Sequence, residues 1–201
     1  MGWVRCLASI VIIEETGRGQ TIKKSKEIPE MMLRAVGIVR SEIKEPSLIA
    51  KSGDLHSRGV LEDVKRGQDV TSEILIYDNL TGILDGIEDF SHILVIYWAH
   101  FTSEADRYLI KVHPMGRKDL PEKGIFATCS PARPNPVCLS VVPLLERNGN
   151  LLKVKGLDAV DGSPVIDIKP YNPRYYRVNE AKVAAWMTQR RRGFTEALDK
   201  G

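Results

Sequence analysis

No apolar run in this chain approaches the roughly 18 residues that a membrane-crossing helix requires. The longest are Leu7 to Ile13 and Ile93 to Ala99, and Glu14 and Glu15 follow the first directly, with no small-residue cleavage site. No membrane segment or secretory leader is expected. Cysteine is scarce: Cys6, Cys129 and Cys138 are odd in number and lack paired ligand spacing. That excludes a disulfide framework and a zinc knuckle, and reads as free thiols in a reducing cytoplasm. Strong charge of either sign is also missing, since 29 Lys and Arg face 26 Asp and Glu for a net +3. An RNA partner is then permitted but not demanded, because phosphate binding depends on where cations cluster. Finally, no G-x-G-x-x-G follows a strand-like run, which argues against a dinucleotide-type dehydrogenase or methyltransferase fold.

What is present is a succession of short β-branched runs. Residues 33–42 alternate well enough for one strand, and 47–70 read as loop with one weak strand. Ser72 to Asp78 reads as a strand, and Leu84, Ile87 and Phe90 recur at roughly helical spacing behind it. Ser91 to Phe101 is nearly all apolar, the pattern of a strand buried on both faces. Thr102 to Lys123 is a long charged excursion, after which GIFAT (124–128) resumes the strand signal. Leu139 to Val154 folds back on itself through Asn148-Gly149, and Pro143 places that strand at an edge or a bulge. Pro164 to Ile168 closes the series, and Asn179 to Lys200 has a helical stripe with Arg190 to Arg192 on its solvated side. The sum predicts a mainly β chain: a single small closed or nearly closed β-barrel with a C-terminal helix. Residues 1–30 read as an extension, 31–175 as the barrel domain and 176–201 as the terminal helix.

Chemistry concentrates between 124 and 171. Ser130, Pro131, Arg133, Pro134, Asn135 and Pro136 form a loop stiffened by its prolines, which holds a guanidinium and an amide in one geometry. Asp158, Asp161, Gly162, Ser163, Pro164 and Asp167 form an acidic turn. Each has a plainer alternative. Arg133 and Asn135 can tie down backbone carbonyls, and the Asp-Gly and Ser-Pro pairs are ordinary turn formers. Cys129 and Cys138 read most simply as small side chains in or near the core.

Phe90, Ser91 and His92 before an apolar strand ending in His100, then GIFAT, then Ser130-Pro-x-Arg-Pro-Asn-Pro136, then the run from Leu157 to Tyr171, together resemble the TrmO family, also called TsaA-like or YaeB-like. The resemblance covers roughly 35–173. It implies a β-barrel that binds S-adenosylmethionine, a homodimer, and methylation of N6-threonylcarbamoyladenosine beside the tRNA anticodon. By position it implies cofactor contacts at His100, Phe101, Cys129, Leu139, Asp158, Ala159, Val160 and Asp161, and makes Asp161 and His100 the candidate bases. Arg133, Asn135, Arg117 and Lys118 become candidates for holding RNA. Two departures stand out: Cys129 replaces a usual arginine, and a Pro-Arg-Gln element is missing between Ser41 and Arg58. They motivate two competitors, a methyltransferase for a small molecule and a non-catalytic cofactor- or RNA-binding module.

Overall fold

The computed structural model describes residues 3–4, 31–51, 53–58, 69–80 and 82–187. The apolar run at 7–13, Cys6 and the three arginines at 190–192 lie outside them. Twelve strands are described: β1 (Trp3–Val4), β2 (Leu33–Arg34), β3 (Gly37–Arg40), β4 (Leu48–Lys51), β5 (Asp54–Ser57), β6 (Thr71–Ile76), β7 (His92–Trp98), β8 (Lys111–Val112), β9 (Lys123–Gly124), β10 (Val137–Asn148), β11 (Leu151–Lys155) and β12 (Pro164–Pro170). Six of them close into an antiparallel barrel in the order β10-β11-β6-β3-β12-β7, which is the architecture the strand spacing predicts.

Strand alternation fills this barrel. Ile93, Val95 and Tyr97 of β7 point inward with Val39, Ile74, Ile76, Val142, Leu152, Val154 and Val165, all nearly or fully buried. So narrow a barrel is packed with side chains, so a ligand has to bind at a mouth or on the outer wall. At Gly37, where β3 lies between β6 and β12, an added Cβ would come within 2.5 Å of the Leu75 carbonyl oxygen, so only glycine fits.

β10 serves two neighbours. Residues Val137 to Pro143 pair with β7, and from Leu144 onward the strand pairs with β11. Pro143 sits at the last pair of the first ladder, opposite His92, where a residue without an N–H is tolerated. The register then shifts between Leu144 and Glu146, the bulge that the proline predicts. The Asn148-Gly149 turn closes the hairpin with Gly149 at φ 59°, a left-handed backbone that glycine adopts freely.

A second, smaller core stands beside the barrel. Hairpins β4–β5 and β8–β9 bury Leu55, Val112 and Ile125 together with Ala132 of the proline loop. Asp54 fastens this satellite: its carboxylate accepts from the amides of Leu55 (2.7 Å) and His113 (2.8 Å), pairs with His113 Nδ1 (2.6 Å) and meets the Lys118 ammonium. Burial alone would raise the Asp54 pKa, but Lys118 and the N–H donors outweigh it and hold the carboxyl far below the usual range.

Several local expectations change. Residues 33–42 split into β2 and β3 because Leu33–Arg34 pairs with β1 while Gly37–Arg40 pairs with β6 and β12. The stretch read as loop plus one weak strand contains the β4–β5 hairpin, turned by Gly53 at φ 80°. The apparent helix near Leu84 is two 3-10 turns, Asp78–Leu80 and Ile87–Asp89, separated by Gly82 and Gly86 at positive φ. GIFAT is strand only as far as Gly124. Ile125–Ala127 is a 3-10 turn, because Ile125 enters the second core and its carbonyl accepts from the Thr128 amide and hydroxyl. The predicted terminal helix does not start at Asn179: residues 179–184 are turn and irregular, and helix is described only at 185–187, after a separate turn of helix at Pro173–Tyr176.

Candidate active site

One mouth of the barrel gathers the chemistry. β7 ends there and continues into His100 and Phe101, the proline loop enters β10 there, and the acidic turn enters β12 there. The register brings them together: Trp98 lies opposite Val137, Tyr97 opposite both Cys138 and Val165, and the Ala99 amide donates to the Pro136 carbonyl at 2.8 Å.

His100 stands at the surface of this mouth, with Ser163 Oγ 3.3 Å from its Nδ1 and its ring 4.4 Å from that of Phe101. Ser163 is fully buried, so the partner that sets the imidazole's position is itself held. Partial desolvation lowers the His100 pKa below its ordinary value, and the Asp161 charge acts the other way without overcoming it. The ring is therefore neutral near pH 7, with a nitrogen lone pair available.

Asp161 does something different. Its Oδ1 accepts from the Ser41 amide at 2.9 Å and its Oδ2 from Lys44 at 2.8 Å, while its own amide donates to the Ile43 carbonyl at 2.7 Å. These bonds, Lys44 first, lower its pKa. A carboxylate so held ties the segment after β3 to the acidic turn and is a weak base. It also borders an open groove of about 530 Å³, shared with Arg40, Lys44 and Lys153 and the carboxylates Glu42 and Glu73.

Asp158 faces the other half of the mouth. Tyr97 donates its hydroxyl to the Asp158 carbonyl, and desolvation raises the pKa of the Asp158 carboxyl. Burial, reinforced by the Asp158 charge, also pushes the Cys138 thiol up to about 11, so it is a protonated, unreactive thiol. Ala159 is buried in the barrel core and Val160 is half-buried. Leu139 and Phe101 are 60% and 57% exposed, and Cys129 is exposed and brings no charge. Carboxylates and backbone carbonyls beside an exposed apolar wall form an acceptor set that fits a ligand carrying an ammonium, a sulfonium and ribose hydroxyls. S-adenosylmethionine is such a ligand, and Asp158, Leu139 and Phe101 are exposed side chains of this mouth that could hold it.

The residues expected to touch RNA are distributed otherwise. Arg133 donates Nε to the Ser130 carbonyl (2.7 Å) and Nη2 to the Thr128 carbonyl (2.6 Å), bracing its own loop. Asn135 is exposed in that loop, and its carbonyl accepts from Val137. Arg117 pairs with Asp119, and Lys118 with Asp54, both on the satellite. Tyr97, Ser41 and Lys44 contribute to the mouth without having been singled out in the sequence, and Ser163, read there only as part of the acidic turn, contributes as the partner of His100. Inward alternation along β7 was the one cue available for Tyr97.

Among the described residues no group of His, Cys, Asp and Glu is arranged to hold a metal ion, and no helix is long and apolar enough to cross a membrane. A family model described as the tRNA-methyltransferase O N-terminal domain matches residues 54–176. The chain belongs to the TrmO family. Within TrmO relatives, it is 45% identical over 142 residues to a probable S-adenosyl-L-methionine-binding protein of Methanothermobacter thermautotrophicus, covering 71% of this chain and 90% of that one. It is 41% identical over 150 residues to an S-adenosyl-L-methionine-binding protein of Archaeoglobus fulgidus, covering 75% and 96%. The tRNA (adenine(37)-N6)-methyltransferase of Escherichia coli is 34% identical over 142 residues, 69% of this chain but 56% of that enzyme. A crystal structure of TrmO from Pseudomonas aeruginosa matches with a TM-score of 0.57 at 24% identity, covering 80% of this chain and 63% of that one. At that identity the match establishes the fold, and the chain spans under two thirds of the crystallised protein.

Proposed function

We propose that this TrmO-family chain is an S-adenosylmethionine-dependent methyltransferase acting on tRNA, at N6 of the threonylcarbamoylated adenosine beside the anticodon. The observation that carries the reading is the convergence of His100, the proline loop and the acidic turn on one barrel mouth, in a chain whose relatives are named for S-adenosylmethionine binding and for adenine-37 methylation. When bound, S-adenosylmethionine supplies a methyl group already activated by its sulfonium. The protein's part is then placement, which contributes up to about 7–11 kcal/mol in favourable cases. Asp158 and the neighbouring carbonyls would hold the positive groups of the cofactor, and Leu139 and Phe101 its apolar faces. The neutral imidazole of His100 would accept the proton of the carbamoylated adenine nitrogen, a poor nucleophile until that proton leaves. Asp161 would act as a positioning residue, keeping the mouth in shape through Ser41 and Lys44. The target base must leave its stack to reach such a site, and a cytoplasmic site of action goes with a tRNA substrate.

The test is transfer of radiolabelled methyl from S-adenosylmethionine to threonylcarbamoylated tRNA, compared with the unmodified transcript. Label on the modified tRNA alone, with affinity that falls steeply as salt rises, is the expected outcome. Label passing only to small molecules would favour the small-molecule competitor, and cofactor binding without any turnover would favour the binding module.

A homodimer belongs to the same proposal. β10 turns Leu139, Val141 and Leu145 to solvent, 60%, 48% and 50% exposed, an apolar row that a second copy would cover. Light scattering should find the wild type dimeric and Val141→Glu monomeric; a monomeric wild type would end this part of the proposal.

A further inference from the structure

Beside the mouth lies a cation that the site described above does not use. Arg107 belongs to the 3-10 turn Ala105–Tyr108, and its guanidinium carbon sits 5.3 Å from the ring centroid of Trp98. Trp98 is the last residue of β7, two positions before His100, and is almost completely buried. Lys44, Arg117, Lys118 and Arg133 each have a carboxylate or carbonyl partner. Arg107 has none among the described residues. Its Nε is buried without a hydrogen-bond partner, and the adjacent Asp106 is engaged by the Ser103 hydroxyl at 2.6 Å.

That combination is costly for a protein to maintain for structure alone. Buried N–H groups are nearly always paired, because an unpaired one has lost its water and gained nothing. Contact with the indole face answers the charge of the guanidinium but not its N–H donors, which lie in the guanidinium plane. Those in-plane donors match the two oxygens of a carboxylate or a phosphodiester, a pairing that lysine cannot reproduce.

We infer that Arg107, seated on Trp98 at the edge of the barrel mouth, is a recognition residue for an oxyanion, a carboxylate or phosphate brought by a ligand of the mouth. The proposed reaction brings three such groups: the amino-acid end of S-adenosylmethionine, the threonine carboxylate of the modified adenosine and the RNA backbone. The anion site rests on its own geometry; this choice of sources rests on the methyl-transfer reading.

The direct test is NMR of the ¹⁵N-labelled wild type, following the Arg107 Nε–H, assigned by its loss in Arg107→Lys, during titration with acetate and with dimethyl phosphate. A saturable shift is expected with at least one anion. Alongside it, Arg107→Gln and Arg107→Lys are compared with wild type for S-adenosylmethionine binding by calorimetry and for tRNA binding across a salt series. If the cofactor carboxylate is the ligand, both variants lose at least about tenfold in cofactor affinity and keep the wild-type salt slope. If a phosphodiester is the ligand, affinity for modified and unmodified tRNA falls alike and the slope drops by about one, with cofactor binding unchanged; if the threonine carboxylate is the ligand, only the modified tRNA loses affinity. An unmoved Nε–H together with affinities within twofold of wild type overturns the inference. Should Arg107→Gln fail to fold, the titration of the wild type still decides. Wild type that binds neither cofactor nor tRNA, yet shows the Nε–H shift, removes the methyl-transfer reading and leaves the anion site standing.

Discussion

His100→Ala is expected to lower single-turnover methyl transfer by about 10²–10⁴-fold, the range of a lost general base. The pH profile carries the discrimination. A base works deprotonated, so the rate falls as pH drops through its pKa, and desolvation has moved that of His100 below the ordinary 6.5. The wild type should therefore hold a flat rate through neutrality and bend downward only in mildly acidic buffer, with the bend gone in His100→Ala. Asp161 titrates below the usual carboxylate range because Lys44 and the Ser41 amide hold it ionised. If Asp161 were the base, the acid limb would lie far lower and would survive replacement of His100. A limb that persists unchanged in His100→Ala removes the imidazole from the proton step.

Asp54→Ala should be the most destabilising single change on the satellite, by about 2–3 kcal/mol in a urea melt, as expected when hydrogen bonds to a charged group are lost and their donors left unpaired. The donors are the Leu55 and His113 amides, His113 Nδ1 and Lys118. Hydrogen exchange should locate the loss in β4, β5, β8 and β9, with the barrel strands still protected. The pH dependence has a definite sign. A carboxyl whose folded pKa is depressed stabilises fully above its unfolded value, near 3.8, and loses that contribution as pH falls toward the lower folded one. Wild-type stability should thus decline in acid below about pH 4, and Asp54→Ala should decline less. Parallel acid curves for the two proteins would show that the carboxylate is not the satellite's fastener.

How far the sequence reaches is clear from the contrast between β10 and His100. The β10–β11 hairpin is legible because its determinants are adjacent: alternating apolar residues, a turn whose second residue must take positive φ, and a proline where the ladder changes partner. β7 is legible because burial on both faces leaves an unbroken apolar run. The barrel followed from such runs, but their pairing order did not, since Gly37 lying opposite Val165 is a consequence of closure. The satellite was missed for the same reason. Asp54 reads as a loop residue after Gly53, and its role depends on His113, 59 residues away. At the mouth, the motifs carried the locations of His100 and Asp161, while their chemistry came from partners at long range, Ser163 for one and Ser41 with Lys44 for the other. Arg133, the most conspicuous cation of the proline loop, braces that loop's carbonyls, whereas Arg107, one charge among many in the excursion after β7, is the residue whose buried side-chain nitrogen has no hydrogen-bond partner among the described residues.

The seam between β3 and β12 bears on how the chain is made. Gly37 and Ile38 find their partners in Val165 and Pro164, and β7 completes its second ladder only along β12. A nascent chain emerging amino end first therefore carries β3 with one bare flank from the appearance of β6 onward, and β7 with two bare flanks until β10 emerges and one thereafter. Both flanks are covered when the segment from Pro164 to Pro170 clears the ribosome, and not before. Unpaired flanks of this kind recruit other strands, so fragments ending before Pro164 should collect as aggregates. The interval in which the cell's holding chaperones matter most is the one that ends with β12.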